Sequence, residues 1–435
     1  MNLFYISLQI NGFPIRRAIQ KLKDIQSKKG KDYELYLNQK KNEIVQFHLQ
    51  NNPFYAQFAK NANLKDWESI PIMTKQDLQQ PLKNRLSKGF SLHNVHQHKT
   101  SGSSGHPFSF AKDKFCHALT WANFIDRYHW FDIDFQHSKQ ARFYGIPLHK
   151  KGYYKERLKD VLSHRYRFSV FDLSDSQMKK NIDTFKSTTF HYINGYTSAI
   201  VQLAKYLKQE NIILKSVCPS LKACIVTSEM LFMDDRTLLE TQLGVPVINE
   251  YGAAELGLIA FQNDSNEWIV NHEDLFIEIL DENDHALPNG QTGRVVITSI
   301  YNKAHPFIRY DLGDVGSLST KSTPEKPILE NLIGRTDDLI KLPSGKTAAG
   351  LTFYYITKAI IDDDANVKEF TIEQILIDTF NIYYVSSKDL SDVYREKIKQ
   401  AVAQYMEPNL TIHFERKTQL NRSHRGKLRQ FKSLL

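Results

Sequence analysis

The chain has 435 residues, of which 41% are hydrophobic and 24% charged, the make-up of a globular protein with room for a large core and two or three domains. Its 57 basic residues against 48 acidic ones give a formal charge of +9. That is modest for the length: it favours small anionic ligands such as nucleotides and gives no ground for a nucleic-acid partner. Cys116, Cys218 and Cys224 are an odd count without metal spacing, which argues against a disulfide framework and fits buried packing in a reducing, cytoplasmic compartment.

Residues 3–10 form a short apolar run with no basic residue before it. It is too short to span a bilayer, so neither a signal peptide nor a transmembrane segment is expected. Packing of a first helix onto the domain is the reading, with peripheral membrane contact as the alternative. Residues 13–60 read as two polar, Lys-rich helices ending at Asn51-Asn52-Pro53. Thr74 and Asp77 resemble a capping box that opens a short helix.

The stretch Thr100-Ser101-Gly102-Ser103-Ser104-Gly105-His106-Pro107 has almost no apolar side chain to bury. Its hydroxyls and glycines suit a loop that brings backbone N–H groups close to a phosphate. A surface linker is the alternative. The flanks favour a site: a His-rich approach over 94–99, then an amphipathic helix opened by Asp113 and carrying Phe115, Leu119, Ala122, Phe124 and Ile125.

Residues 142–148 read as a buried strand, and the basic 149–167 as a solvated helix face, with an acidic partner as the alternative. Strand-like 190–193 leads to a turn at Asn194-Gly195-Tyr196. A helix over 198–209, a strand over 221–226, a helix over 234–243 stopped by Gly244 and a strand over 245–248 follow. Strand, helix and strand with short links is the βαβ pattern. Ligands of such sheets bind beyond the carboxyl ends of the strands, where Thr227–Glu229 and Asn249–Glu255 are expected. Residues 275–299 read as a hairpin and 318–327 as a loop. Past a boundary near 331–341, paired strands over 368–377 and 381–385, a helix over 390–405 and a strand over 410–415 suggest a small α+β lobe. The fold class is thus α/β: a large N-terminal domain, 1–335, with βαβ-type mixed sheets, and a small C-terminal α+β domain, 336–435.

Gly345-Lys346-Thr347 imitates the end of a phosphate-binding P-loop, but Ile340 stands where the first glycine belongs. No HExxH, paired Cys/His spacing or Gly-x-Ser-x-Gly elbow is present, which argues against zinc and against the common hydrolase triad.

Five polar clusters remain, at 100–107, 249–255, 309–314, 334–341 and 425–429. Their order and wording resemble the acyl-adenylate-forming ligases, in particular the phenylacetate–CoA ligase-like branch with its capsular-polysaccharide relatives. Thr100–Pro107 is similar to the family's phosphate loop and Tyr251-Gly252-Ala253-Ala254-Glu255 to its Tyr-Gly-x-x-Glu signature. Arg309–Asp314 is similar to the ribose-binding segment, Gly334-Arg335-x-Asp337-Asp338 to the inter-domain hinge and Gly426-Lys427 to the terminal Gly-Lys. Ile70–Lys75 agrees as well. The resemblance covers nearly the whole chain.

The resemblance implies a role for each position. Thr100, Ser101, Ser103 and Ser104, with Gly102 and Gly105, would hold the β- and γ-phosphates of ATP. Tyr251 with Gly252 would lie against adenine, and Asp314, aided by Arg335, would bind the ribose. Glu255 would bind Mg²⁺. Asp337 would be the hinge of a mobile C-terminal lid, and Lys427 would reach the α-phosphate and the carboxylate. The implied activity is AMP-forming ligation of a carboxylic acid to coenzyme A, with an amine or sugar-linked acceptor as one alternative and a non-catalytic binding homologue as another. His106 stands where the family's loop has lysine, Asp311-Leu312 replaces Arg/Thr, and Pro343-Ser344-Gly345 lengthens the turn after the hinge.

Overall fold

The computed structural model describes residues 3–63, 66–100, 108–144, 150–168, 170, 174–335, 339–345, 347–349, 353, 357, 367–422 and 428–435. The chain divides into two compact units. One holds Met1–Leu312 and Ser317–Asn331, the other Gly313–Gly316 and Leu332–Leu435.

The larger unit opens with four helices, α1 (Leu3–Ile10), α2 (Ile15–Gln26), α3 (Gly30–Asn51) and α4 (Pro53–Phe58). Pro53 starts α4, where its missing N–H costs nothing, and the Asn52 side chain caps the helix by accepting from Tyr55 N. The Asp77 carboxylate accepts from both the backbone N and the hydroxyl of Thr74 (2.8 and 2.7 Å), and the helix it opens is a single 3-10 turn, Asp77–Gln79. Strands β1 (His96–Lys99) and β2 (Ser109–Lys112) pair antiparallel, with Lys99 opposite Ser109. Helix α5 (Lys114–His129) follows, and its N-cap Asp113 accepts from Phe115 N and Cys116 N, both at 2.9 Å. Such a cap is worth about 1 kcal/mol. Leu8 of α1 and Ile15, Ala18 and Leu22 of α2 bury against Ala118, Leu119 and Ala122 of α5, so the apolar run at 3–10 does pack onto the domain.

Then come β3 (Gln140–Phe143), α6 (Lys150–Leu162), β4 (Arg165–Phe168), α7 (Asp175–Ser187), β5 (Tyr192–Tyr196), α8 (Thr197–Gln209), α9 (Leu214–Val217), β6 (Ala223–Thr227), α10 (Met233–Leu243) and β7 (Val247–Ala253). Strands β3 to β7 are mutually parallel, each joined to its neighbours through helices. Antiparallel strands continue the chain: β8 (Gly257–Gln262), β9 (Trp268–Val270), β10 (Leu275–Leu280), β11 (Gly293–Ser299), β12 (Tyr310–Leu318) and β13 (Ile328–Arg335). They form one mixed sheet in the order β10-β11-β12-β13-β9-β8-β7-β6-β5-β3-β4. The hairpin β10–β11 pairs Leu275 with Ser299 and Leu280 with Arg294, as the sequence suggests. Helices α7, α8 and α10 cover one face of the parallel half, over Ala141, Phe143, Ile193, Cys224 and Val226. The opposite face meets Tyr128 of α5 through Tyr192, Ile225, Ile248 and Phe261.

Three expectations are corrected. The basic segment 149–167 is not one helix: its last residues enter β4, where Phe168 stacks on Phe143 at 4.7 Å and Arg165 and Arg167 pair with Asp160. Residues 194–196 are strand, not turn. Gly195 lies so close to β3 that a Cβ would sit 2.4 Å from the Phe143 carbonyl oxygen, so the glycine serves close packing. Finally, β7 does not stop at Ile248 but runs on to Ala253. Of the segment 142–148, residues 142–143 lie in β3, and 145–149 lie outside the described residues.

The smaller unit carries the two-stranded pair β14 (Leu339–Lys341) and β15 (Thr347–Ala349) and a sheet of β16 (Val367–Leu376), β17 (Thr379–Ser386), β18 (Thr411–Lys417) and β19 (Phe431–Ser433), ordered β18-β17-β16-β19. The helix Asp392–Tyr405 carries the buried Ile398 and Val402. Among the described residues no helix is long and apolar enough to cross a membrane.

Candidate active site

The polar stretch after Ile248 is held as a strand because both of its edges are paired. Thr227 of β6 lies opposite Glu250, and on the other side Glu250 meets Phe261 and Tyr251 meets Ala260 of β8. The ladder breaks between Tyr251 and Gly252. Gly252 lies close enough to β8 that a Cβ would come within 2.7 Å of the Gly257 carbonyl oxygen. Gly257 itself has φ +89° and packs on α5, where a Cβ would meet Thr120 Cγ2 at 2.5 Å. The turn carrying Ala254 and Glu255 is therefore held at both ends by glycine contacts. Lys112 adds a third tie: its buried ammonium donates to Leu256 O at 2.7 Å and to Thr120 Oγ1 at 2.9 Å.

Glu255 is 5% exposed, and its Oε1 accepts from the Tyr310 hydroxyl at 2.9 Å. A buried carboxylate needs such a donor to offset lost hydration. Tyr310 starts β12, and that start is locked. Met73 N donates to Arg309 O at 2.9 Å, and Asp311 N donates to Met73 O at 2.8 Å. The buried Arg309 guanidinium donates to Glu68 O and Ile70 O and faces Glu278 at 3.4 Å. Arg309 has φ +43°, a left-handed conformation a non-glycine residue adopts at a cost. The Ile70–Lys75 segment thus braces the residue that braces Glu255.

Tyr251 is buried and stacks on Trp268, ring centroids 6.1 Å apart and planes 20° from parallel. Thr100 closes the β1–β2 pair: its N donates to Phe108 O, and its hydroxyl accepts from Phe108 N, both at 3.0 Å. Ser101, Gly102, Ser103, Ser104, Gly105, His106 and Pro107, the rest of the glycine–serine stretch, lie outside the described residues. So do Asp337 and Lys427, and of Arg335 only its backbone at the end of β13 is described. Asp314 is a buried residue of the smaller unit, preceded by Gly313 at φ +76°.

Among the described residues no group of three or more His, Cys, Asp or Glu side chains could hold a metal. Mg²⁺ on a nucleotide needs no such group, since one or two carboxylates and phosphate oxygens suffice. Glu255, a carboxylate kept in place by a neutral donor, fits that role.

The roles of three residues carry no signal in the sequence. Tyr310 lies within the 309–314 cluster, but nothing there points to its bond with Glu255, and Lys112 stands in a stretch with no signal of its polar duty. Tyr128 donates to Glu250 Oε2 at 2.8 Å from the middle of α5. Burial raises the Glu250 carboxyl above its ordinary range, against the Tyr128 hydrogen bond and the charge of Arg142, which lower it. Phe261 is core, stacked on Tyr128 at 5.4 Å. Tyr144 and Tyr196 lie together, ring centroids 4.7 Å apart.

The fold is that of the AMP-forming acyl-CoA ligases. It superposes on 2-hydroxyisobutyryl-CoA ligase, solved in the postadenylation state in complex with R3-HIB-AMP, with a TM-score of 0.70, 16% identity, and coverage of 92% of this chain and 89% of that one. It is also similar to the amide bond synthetase McbA from Marinactinospora thermotolerans (TM-score 0.52, 13% identity, 78% of this chain and 69% of that one). In sequence the chain is similar to phenylacetate–coenzyme A ligase from Pseudomonas putida, 24% identical over 288 residues. That match covers 64% of this chain and spans 63% of the relative's length. No family model matches the chain.

Proposed function

We propose that the protein is an AMP-forming ligase that activates a carboxylic acid and passes its acyl group to coenzyme A. A carboxylate oxygen attacks the α-phosphorus of ATP, the bond to pyrophosphate breaks, and an acyl-adenylate results. The thiol sulfur of coenzyme A then attacks the acyl carbon, AMP leaves with the bonding electrons, and the thiol proton passes to solvent. The observation that carries this reading is the buried Glu255, held by Tyr310 just past β7, in a chain with the ligase fold.

In this reading Thr100, Ser101, Gly102, Ser103, Ser104 and Gly105 hold the outer phosphates. Tyr251 and Gly252 flank the adenine, Asp314 and Arg335 bind the ribose, and Glu255 would hold Mg²⁺, which when bound neutralises triphosphate charge. Asp337 is the hinge of a lid, residues 336–435, that brings Lys427 to the acid. Donors set in advance at the developing charge are each worth roughly 3 kcal/mol. Three buried, unbridged cysteines suit a cytoplasmic setting. The test is AMP release across a panel of carboxylic acids with ATP, Mg²⁺ and coenzyme A. Acid-dependent AMP supports the reading, and ATP binding without AMP for any acid overturns it.

A second reading keeps the adenylate and replaces the thiol by an amine or a sugar-linked acceptor. The similarity to an amide bond synthetase favours it. AMP release and acyl product that persist unchanged without coenzyme A would select it.

A further inference from the structure

In the parallel half of the large sheet, the face that meets Tyr128 carries polar groups beside its apolar ones. Arg142 of β3 lies in register with Asn194 of β5, and Thr227 of β6 with Glu250 of β7. Asn194 donates to Ile225 O and accepts from Gln140, both at 3.3 Å. Glu250 accepts from Tyr128 at 2.8 Å. The Arg142 guanidinium lies 4.1 Å from the centre of the Tyr144 ring, and its Nε has no hydrogen-bond partner. Arg142, Tyr144 and Glu250 are partly exposed, whereas Ile225 and Ile248 on the same face are buried. Asn194 and Thr227 are buried, so it is Arg142 and Glu250, with Tyr144, that border an accessible recess. That recess lies towards the carboxyl ends of the parallel strands, where open sheets bind ligands. Glu250 immediately precedes Tyr251 in β7.

We infer that this recess receives the acyl part of the substrate and that it takes an acid bearing hydrogen-bonding groups, a hydroxyl or an amide, in preference to a plain aryl or alkyl acid. The inference rests on the ligase reading above. Hydrocarbon pressed against Arg142 and Glu250 would strip water from both and replace none of their hydrogen bonds. A hydroxyl can donate to the carboxylate and accept from the guanidinium at once, and an amide offers the same pair of functions. The Tyr144 and Tyr196 rings supply apolar wall beside these groups, so the acyl part is flat or short where it meets them. Sites that hydrogen-bond a substrate group discriminate strongly against analogues without it.

The experiment uses the full chain with matched acids: phenylacetate against 4-hydroxyphenylacetate, and butyrate against 3-hydroxybutyrate. AMP release gives kcat/KM for each, and calorimetric titration gives binding without turnover. The polar member of at least one pair should be favoured about tenfold or more, and both Glu250→Gln and Arg142→Gln should erase most of that preference by raising KM. Thermal unfolding checks each variant, and if one fails to fold the other decides. Turnover or binding that favours the apolar member of both pairs, or a polar preference untouched by both substitutions, overturns the inference. Selective binding of polar acids with no AMP from any of them sustains the recess and overturns the ligase reading instead. Failure of every acid to bind overturns the recess.

Discussion

The hydroxyl of Tyr310 donates to Glu255 Oε1 at 2.9 Å, and both side chains are buried. The bond joins the start of β12 to the turn after β7, two segments 55 residues apart in sequence. The position of Glu255 is thereby set by a residue that touches no substrate in the proposed reaction. Tyr310→Phe removes the donor and keeps the ring. A hydrogen bond to a charged group is worth about 1.5–3 kcal/mol, so the variant should need roughly ten times more Mg²⁺ or Mg·ATP for half-maximal AMP formation. Calorimetric titration of ATP with and without Mg²⁺ checks this independently of turnover: only the Mg²⁺-dependent gain in affinity should shrink.

Arg309 stabilises the same region by burying a guanidinium between Glu278 and the carbonyls of Glu68 and Ile70. Arg309→Met fills similar volume but strands Glu278 and those carbonyls. Breaking a buried pair by removing one partner costs about 3–5 kcal/mol. A urea midpoint lowered to match is the expected result.

Gly195 is required by close contact with β3. Gly195→Ala would force a methyl to within 2.5 Å of Phe143 Cβ and 2.4 Å of its carbonyl oxygen. Overpacking of this kind costs about 1–3 kcal/mol. A lowered melting temperature with an unchanged far-ultraviolet spectrum is expected.

Asp274 is buried beside Glu273, and burial pushes its carboxyl up to about 7 from 3.8. The folded state therefore holds a proton that the unfolded chain gives up above about 3.8. Between those values the folded state binds more protons, so this group's contribution to stability falls as pH rises, and it levels off above 7. Asp274→Asn keeps the shape and cannot titrate. Its stability relative to the parent should rise as pH goes from 4 to 7 and then stay flat, as read from melting temperatures across that range.

Much of the architecture is legible in the residues. Asp113 caps α5 as its sequence position suggests, and the hairpin over 275–299 forms with the expected ends. Two of the three corrected expectations share one cause. Asn194-Gly195 and Asn249–Gly252 carry turn-forming residues, yet each segment is flanked by two strands that need its backbone, and ladder hydrogen bonds outweigh local preference. The candidate site was legible only where a side chain stands in a distinctive cluster, as Glu255 does. Tyr310, Lys112 and Tyr128 were not, because their roles arise from contacts across 55, 144 and 122 residues that no local pattern encodes.

The most direct test is carboxylate-dependent exchange of labelled pyrophosphate into ATP by the intact protein and by Lys427→Ala. The proposal predicts exchange that requires both an acid and Mg²⁺ and that falls by at least a hundredfold in the variant, roughly the loss of one charge-stabilising donor. Exchange that continues undiminished in Lys427→Ala, or that proceeds equally without any acid, would contradict it.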